Sequence, residues 1–91
     1  MKEDNYIDAI FNETASEVLK KYIENSGRSS EEIAKKMKKP ISRQLLYKYK
    51  HNKSKIKLSV FNDLCYALGL NPADVFNEIS VKAISKTNNY N

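Results

Sequence analysis

The sequence predicts an all-α domain, and three features carry that prediction. Apolar residues recur at helical spacing from Tyr6 to Ile79, no segment sustains alternation of apolar and polar residues, and the glycines and prolines (Gly27, Pro40, Gly69, Pro72) fall between the periodic stretches. Helical spacing gathers apolar side chains onto one stripe, and the missing period-2 pattern argues against sheet. Gly and Pro then serve as punctuation between helices. With 91 residues, the chain suits one compact domain and is too short for two.

The first helix is expected from about Tyr6 to Asn25. Tyr6, Ile7, Ile10, Phe11, Ala15, Val18, Leu19, Tyr22 and Ile23 form its stripe, and Gly27 ends it in the manner of a C-terminal glycine. The second begins at Ser29. Ser29 and Glu32 fit a capping box, in which hydroxyl and carboxylate each satisfy one orphan backbone N–H. Ile33, Ala34 and Met37 supply its inner face, and it ends near Lys38 because residues before Pro40 avoid helical backbone. Ser42 caps a third helix running to about His51. Ile41, Leu46 and Tyr49 give it a narrow apolar side; Arg43, Gln44, Tyr47, Lys48 and Lys50 are left outside.

A basic loop over residues 51–57 leads to a fourth helix from about Leu58 to Leu68, with Leu58, Phe61, Leu64, Cys65 and Leu68 inward and Gly69 at its end. Asn71 caps a short fifth helix with Pro72 at its first position, and Val75, Phe76 and Ile79 seal the core. Residues 80–91 read as a polar tail that frays or is ordered by a partner. The expected organisation is a single domain over 1–79, with 1–13 extending the first helix, followed by that tail.

Charge is unevenly placed. Residues 1–34 carry four Lys/Arg and eight Asp/Glu, residues 35–57 carry ten Lys/Arg and no acid, and residues 58–91 carry two Lys and three acids. The whole net charge of +5 therefore comes from one window. Such concentration is the electrostatic footprint of a polyanion-binding face, although a lysine run is also compatible with an ordinary solvated surface.

Other classes are poorly supported. The lone Cys65 excludes an internal disulfide and fits a reducing compartment. No stretch is apolar enough to span a membrane, and the opening residues Met1 to Asn5 precede no apolar run, so no signal peptide is expected. A cytoplasmic protein follows as the expectation. The single histidine, His51, has no neighbouring carboxylate in sequence, no ligand cluster suggests a metal, and no glycine-rich phosphate loop suggests a nucleotide. Neither enzymatic activity nor a cofactor is expected. The aromatics are mostly placed inward, which disfavours an exposed stacking platform for RNA.

Three stretches in order carry a family resemblance. Residues 29–37 (SSEEIAKKM) look like the first helix of a helix-turn-helix motif, residues 41–49 (ISRQLLYKY) like its recognition helix, and residues 64–76 (LCYALGLNPADVF) like the helices that close the domain. The segment from about Val18 to Ile79 thus resembles the phage-repressor (Cro/C1-type, XRE-like) helix-turn-helix regulators. The resemblance implies a five-helix domain with an extended first helix and its motif over about 29–51. The sequence departs from the family at the motif turn, where Lys38-Lys39-Pro40-Ile41 is two residues longer than usual and lacks glycine, and in the first 13 residues or so, which the minimal domain lacks.

The resemblance implies duplex-DNA binding by a transcriptional regulator, a repressor by the family's usual role, dimeric on a pseudo-palindromic site. Helix 42–51 would enter the major groove. By position, Arg43, Gln44 and Lys48 match base-contacting residues; Arg43 suits guanine O6 and N7, and Gln44 suits adenine N6 and N7. Leu45 and Tyr47 are placed to meet thymine methyls or sugars. Phosphate contacts are expected from Ser29, Ser30 and Ser42 at helix N-termini, from His51, Asn52, Lys53 and Lys55 after the recognition helix, and from Lys38 and Lys39 in the turn. The dimer surface would come from Tyr6, Ile7, Ile10 and Phe11 or from the fifth helix. A second reading, from another class, is an antitoxin or antirepressor module whose tail after Ser80 binds a protein partner and whose DNA binding is accessory.

Overall fold

The computed structural model describes residues 2–88, with side chains from residue 6 onward. Five helices follow in order: α1 (Lys2–Asn25), α2 (Ser30–Lys36), α3 (Arg43–Lys50), α4 (Leu58–Leu68) and α5 (Pro72–Asn88). No strand occurs among the described residues, so the architecture is the all-α one that the sequence predicts.

The local signals act as the spacing predicts. The Ser29 hydroxyl accepts from Glu32 N at 3.1 Å while the Glu32 carboxylate accepts from Ser29 N at 3.2 Å, completing the capping box. Asn71 Oδ1 accepts from Ala73 N at 2.9 Å at the start of α5. Gly69, at φ 72°, turns the chain out of α4, and the last turn is closed by Gly69 N–H to Tyr66 O and Leu70 N–H to Cys65 O. That left-handed backbone favours glycine because it has no Cβ.

All five helices contribute to one core. Val18, Leu19 and Ile23 of α1 meet Ile33 and Ala34 of α2, Met37, Leu46 of α3, four residues of α4 and Val75 and Ile79 of α5. Ile33, Leu46 and Leu64 are wholly buried. Large-to-small changes at such positions typically cost about 2–5 kcal/mol. Cys65 belongs to this core, and burial pushes its thiol up to about 11, as suits a small hydrophobe without redox chemistry. Two buried polar side chains are also accommodated: the Thr14 hydroxyl donates to Ile10 O at 2.7 Å, and the Ser16 hydroxyl donates to the Tyr49 carbonyl.

Several expectations are corrected. α1 begins at Lys2 instead of Tyr6, and α2 ends at Lys36, two residues before Lys38. Leu58, expected inward, is 66% exposed, because the first residue of α4 projects past the end of the core. There it lines an open apolar cleft with Phe11, Ile56, Phe61 and Phe76. Phe76 does not seal the core either; it is partly exposed, its ring 6.0 Å from Phe11 and 6.4 Å from Phe61. Tyr6 and Ile7 of the α1 stripe are exposed as well.

The largest correction concerns the segment after Ile79. It is helical to Asn88, not a fraying tail. The stripe Val75, Ile79, Ala83 continues at four-residue spacing, and all three are buried, so α5 stays packed against α1. Lys86 Nζ reaches Glu17 at 2.8 Å and Glu13 at 3.3 Å, and the Thr87 hydroxyl donates to Ala83 O at 2.7 Å. The last part of the expected tail, residues 89–91, lies outside the described residues.

A second polar cluster ties α5 to α1 nearer the middle of the fold. The Tyr22 hydroxyl donates to Glu78 Oε1 at 2.6 Å, Lys21 Nζ donates to Glu78 Oε2, and Lys82 Nζ lies 3.3 Å from the same oxygen. These donors, Lys21 first, hold the Glu78 carboxyl at about 2, well below its ordinary value of 4.5. Its stabilisation is therefore complete above the ordinary carboxylate range and is lost as pH falls from about 4.5 toward 2. Glu78→Gln is expected to lower stability at neutral pH by on the order of 1 kcal/mol, a fall of about 4–8 °C in midpoint for a domain of this size. Thermal melts of both proteins from about pH 7 to about pH 2.5 check this, spanning the range in which the carboxylate takes up its proton. The difference should shrink in acid, and a constant difference refutes it.

Candidate nucleic-acid interface

The candidate surface is organised around α3. This helix has eight residues, too few to stand alone in water, and it is held by Leu46 and Tyr49 on its inner side. The Ser42 hydroxyl accepts from Leu45 N at 3.1 Å to start it. Its end is closed by Lys53 N–H to Lys48 O at 2.7 Å and Asn52 N–H to Tyr49 O at 3.4 Å, with Asn52 at φ 56°. This is the helix-terminating pair of bonds found also after α4, with asparagine in the left-handed position where it is tolerated. The Ser16 hydroxyl adds a bond from α1 to the Tyr49 carbonyl.

The opposite face of α3 is open. Arg43, Gln44, Tyr47 and Lys48 are all exposed. Together with Ser30, Lys50 and Lys53 they line a shallow depression of about 500 Å³. Tyr47 is 52% exposed, and its ring lies 4.1 Å from that of His51, so the phenol is held beside the basic loop.

Most ion pairs among the described residues lie outside the basic window. Among the described residues, Lys21, Lys82 and Lys86 outside the basic window pair with Glu13, Glu17 or Glu78. Within the window only Lys35 pairs among the described residues, with Glu31 one turn away. Arg43 and the lysines at 48, 50, 53 and 55 have no ion pair among the described residues. The two arginines divide in the same way. Arg28 donates through Nη1 to Ala67 O at 3.1 Å in the last turn of α4, whereas Arg43 makes no such bond among the described residues.

The expected contact residues are not all on this face. Arg43, Gln44, Tyr47, Lys48, Ser30 and Lys53 are brought together around the depression, and Lys55 is exposed in the adjoining loop. Ser29 and Ser42 each use the hydroxyl as a helix cap. Asn52 terminates α3, and His51 packs on Tyr47. Lys38 and Lys39 face α4: their backbone N–H groups donate to the Asp63 carboxylate at 2.6 and 2.9 Å, and Lys38 Nζ lies 4.9 Å from the Tyr66 ring centroid. The structure adds two residues to those expected from the sequence. Lys50 shares the depression, a position visible in its i+7 spacing from Arg43 and i+3 spacing from Tyr47. Asp63 and its bonds to the turn have no local signal.

Among the described residues, no helix is long and apolar enough to cross a membrane, and no group of three or more His, Cys, Asp or Glu could hold a metal ion. The family model of the Cro/C1-type helix-turn-helix DNA-binding domain matches residues 18–80. No curated protein and no solved structure matches the chain.

Proposed function

The chain belongs to the Cro/C1-type helix-turn-helix DNA-binding family, and from that premise we propose that it is a sequence-specific repressor that inserts α3 into the major groove of duplex DNA. The observation that supports this best is the exposed row Arg43, Gln44, Tyr47 and Lys48 around one depression. The groove admits an α-helix, and the donor patterns of arginine and glutamine complement guanine and adenine edges. Lys53 and Lys55, in the loop after α3, serve the phosphate backbone, which fixes register without reading sequence. Ser30, beside the depression, offers its hydroxyl to a phosphate in the same pose.

We infer further that two copies occupy a pseudo-palindromic site. Val81 and Ile84 of α5 are 60% and 58% exposed and offer an apolar surface for the second copy. The antitoxin or antirepressor reading loses its sequence argument over residues 80–88, since that segment is ordered against α1 within the chain itself.

Selection from a random duplex pool at rising salt tests the base-reading role. Wild type should enrich a site with two related halves. The Arg43→Ala/Gln44→Ala variant should lose about tenfold or more of its preference for that site while keeping weak, salt-sensitive binding. Equal binding with no enriched site would sink the proposal. Lys53→Gln/Lys55→Gln should weaken all duplexes alike and reduce the slope of log K against log salt by about one for each phosphate no longer neutralised. Ile84→Glu should leave the circular-dichroism spectrum intact and halve the protein mass bound per site in sedimentation; an unchanged mass would place the dimer contact elsewhere.

A further inference from the structure

Asp63 is the only carboxylate between Glu32 and Asp74, and it lies six residues past the acid-free basic window of residues 35–57. It sits on α4, away from the depression on α3. Both of its oxygens are engaged, accepting from the backbone N–H of Lys38 at 2.6 Å and of Lys39 at 2.9 Å. One turn along α4, the Tyr66 ring receives the Lys38 ammonium at 4.9 Å. Two side chains of one helix therefore grip consecutive residues of the turn that joins α2 to α3.

That turn has little else to define it. No backbone–backbone hydrogen bond is formed within residues 37–42 among the described residues, and Pro40 has no N–H to give. The buried Met37 and half-buried Ile41 anchor it by packing. Packing alone restricts position less sharply than two charge-assisted hydrogen bonds of defined direction. The connection between α2 and α3 also runs over residues 37–42, and each of its residues brings conformational freedom that something must remove.

The consequence falls on α3. Its C-terminal end is tethered by the Ser16 hydroxyl on the Tyr49 carbonyl and by the bonds through Asn52 and Lys53. Its N-terminal end, where Arg43 and Gln44 lie, directly follows the turn. We propose that Asp63 is a positioning residue for base recognition: by clamping the turn to α4, it sets the depth and tilt at which Arg43 and Gln44 meet the base edges. This inference rests on the major-groove reading of α3. Bidentate contacts to bases need fixed geometry, whereas phosphate contacts through long lysines tolerate a shift. Removing the clamp should therefore cost discrimination more than affinity.

The test uses the full chain. Asp63→Asn keeps size and shape but can accept only through one oxygen and places an NH₂ group against the other N–H. Each protein is titrated, well below its melting temperature, with the duplex that wild type selects and with a scrambled duplex of equal length. Asp63→Asn should bind the scrambled duplex within about twofold of wild type, with an unchanged salt slope. Its ratio of selected to scrambled affinity should fall about tenfold. In parallel, amide hydrogen exchange on wild type should show Lys38 and Lys39 protected relative to Ile41, and the variant should lose that protection.

A wild-type preference accompanied by an unchanged ratio in Asp63→Asn overturns the role of Asp63 alone. Absence of any preference in wild type overturns the major-groove reading and this inference with it. If the variant does not fold, unprotected Lys38 and Lys39 amides in wild type still overturn the clamp.

Discussion

The rest of the structure answers to one constraint: α3 is held in the fold by the burial of Leu46 and Tyr49, and its opposite face, with Arg43, Gln44, Tyr47 and Lys48, is polar and exposed. An isolated helix of this length is not stable in water. Two buried side chains secure its contact with the core but leave its ends to be fixed by other means. The fold supplies those means from four directions. Ser42 starts the helix, Asn52 in left-handed backbone ends it, Ser16 reaches over from α1, and Asp63 holds the turn that leads into it. Each is a hydrogen-bonding device that leaves the outer face uncovered.

The same economy appears in the distribution of charge. Carboxylates of α1 and α5 are matched with Lys21, Lys82 and Lys86 along the seam between those helices. Such pairs, largely exposed, contribute modestly to stability, apart from Glu78, which collects a phenol and two ammonium groups on one carboxylate. By contrast, the cations around α3 and its following loop repel one another and receive no internal compensation among the described residues. That arrangement costs folding energy and leaves a positive field that only an external anion can neutralise.

Legibility in the sequence follows the range of the interaction. The Ser29–Glu32 box, the Ser42 and Asn71 caps and the Gly69 terminus depend on residues within a few positions, and each is readable from spacing. So is the core from Val18 to Ile79 at helical period, as is the outward row on α3. The helix beyond Ile79 is hidden because only the small Ala83 continues the inward stripe, while Val81 and Ile84 break the apparent period by facing out. Leu58 keeps the period but sits past the core's edge. Asp63 bonds residues 24 and 25 positions away, a separation that no local pattern encodes.

Lys38 and its neighbour Lys39 show that a charge count does not locate a binding face. In sequence they are two of the ten cations between residues 35 and 57, indistinguishable from Lys48 or Lys53. In the fold their backbone is fixed to Asp63, and the Lys38 ammonium lies against Tyr66 on α4. Lys35 is likewise engaged, with Glu31. The basic window therefore splits into cations that help build the motif and cations that remain for a ligand. The second group includes Arg43, Lys48, Lys50 and Lys53, all on the surface of α3 or just beyond it. On the proposed reading, every one of these cations contributes to long-range attraction of DNA, which depends on net charge, whereas close contacts depend on where each side chain can reach, and the Lys38 ammonium is held toward Tyr66.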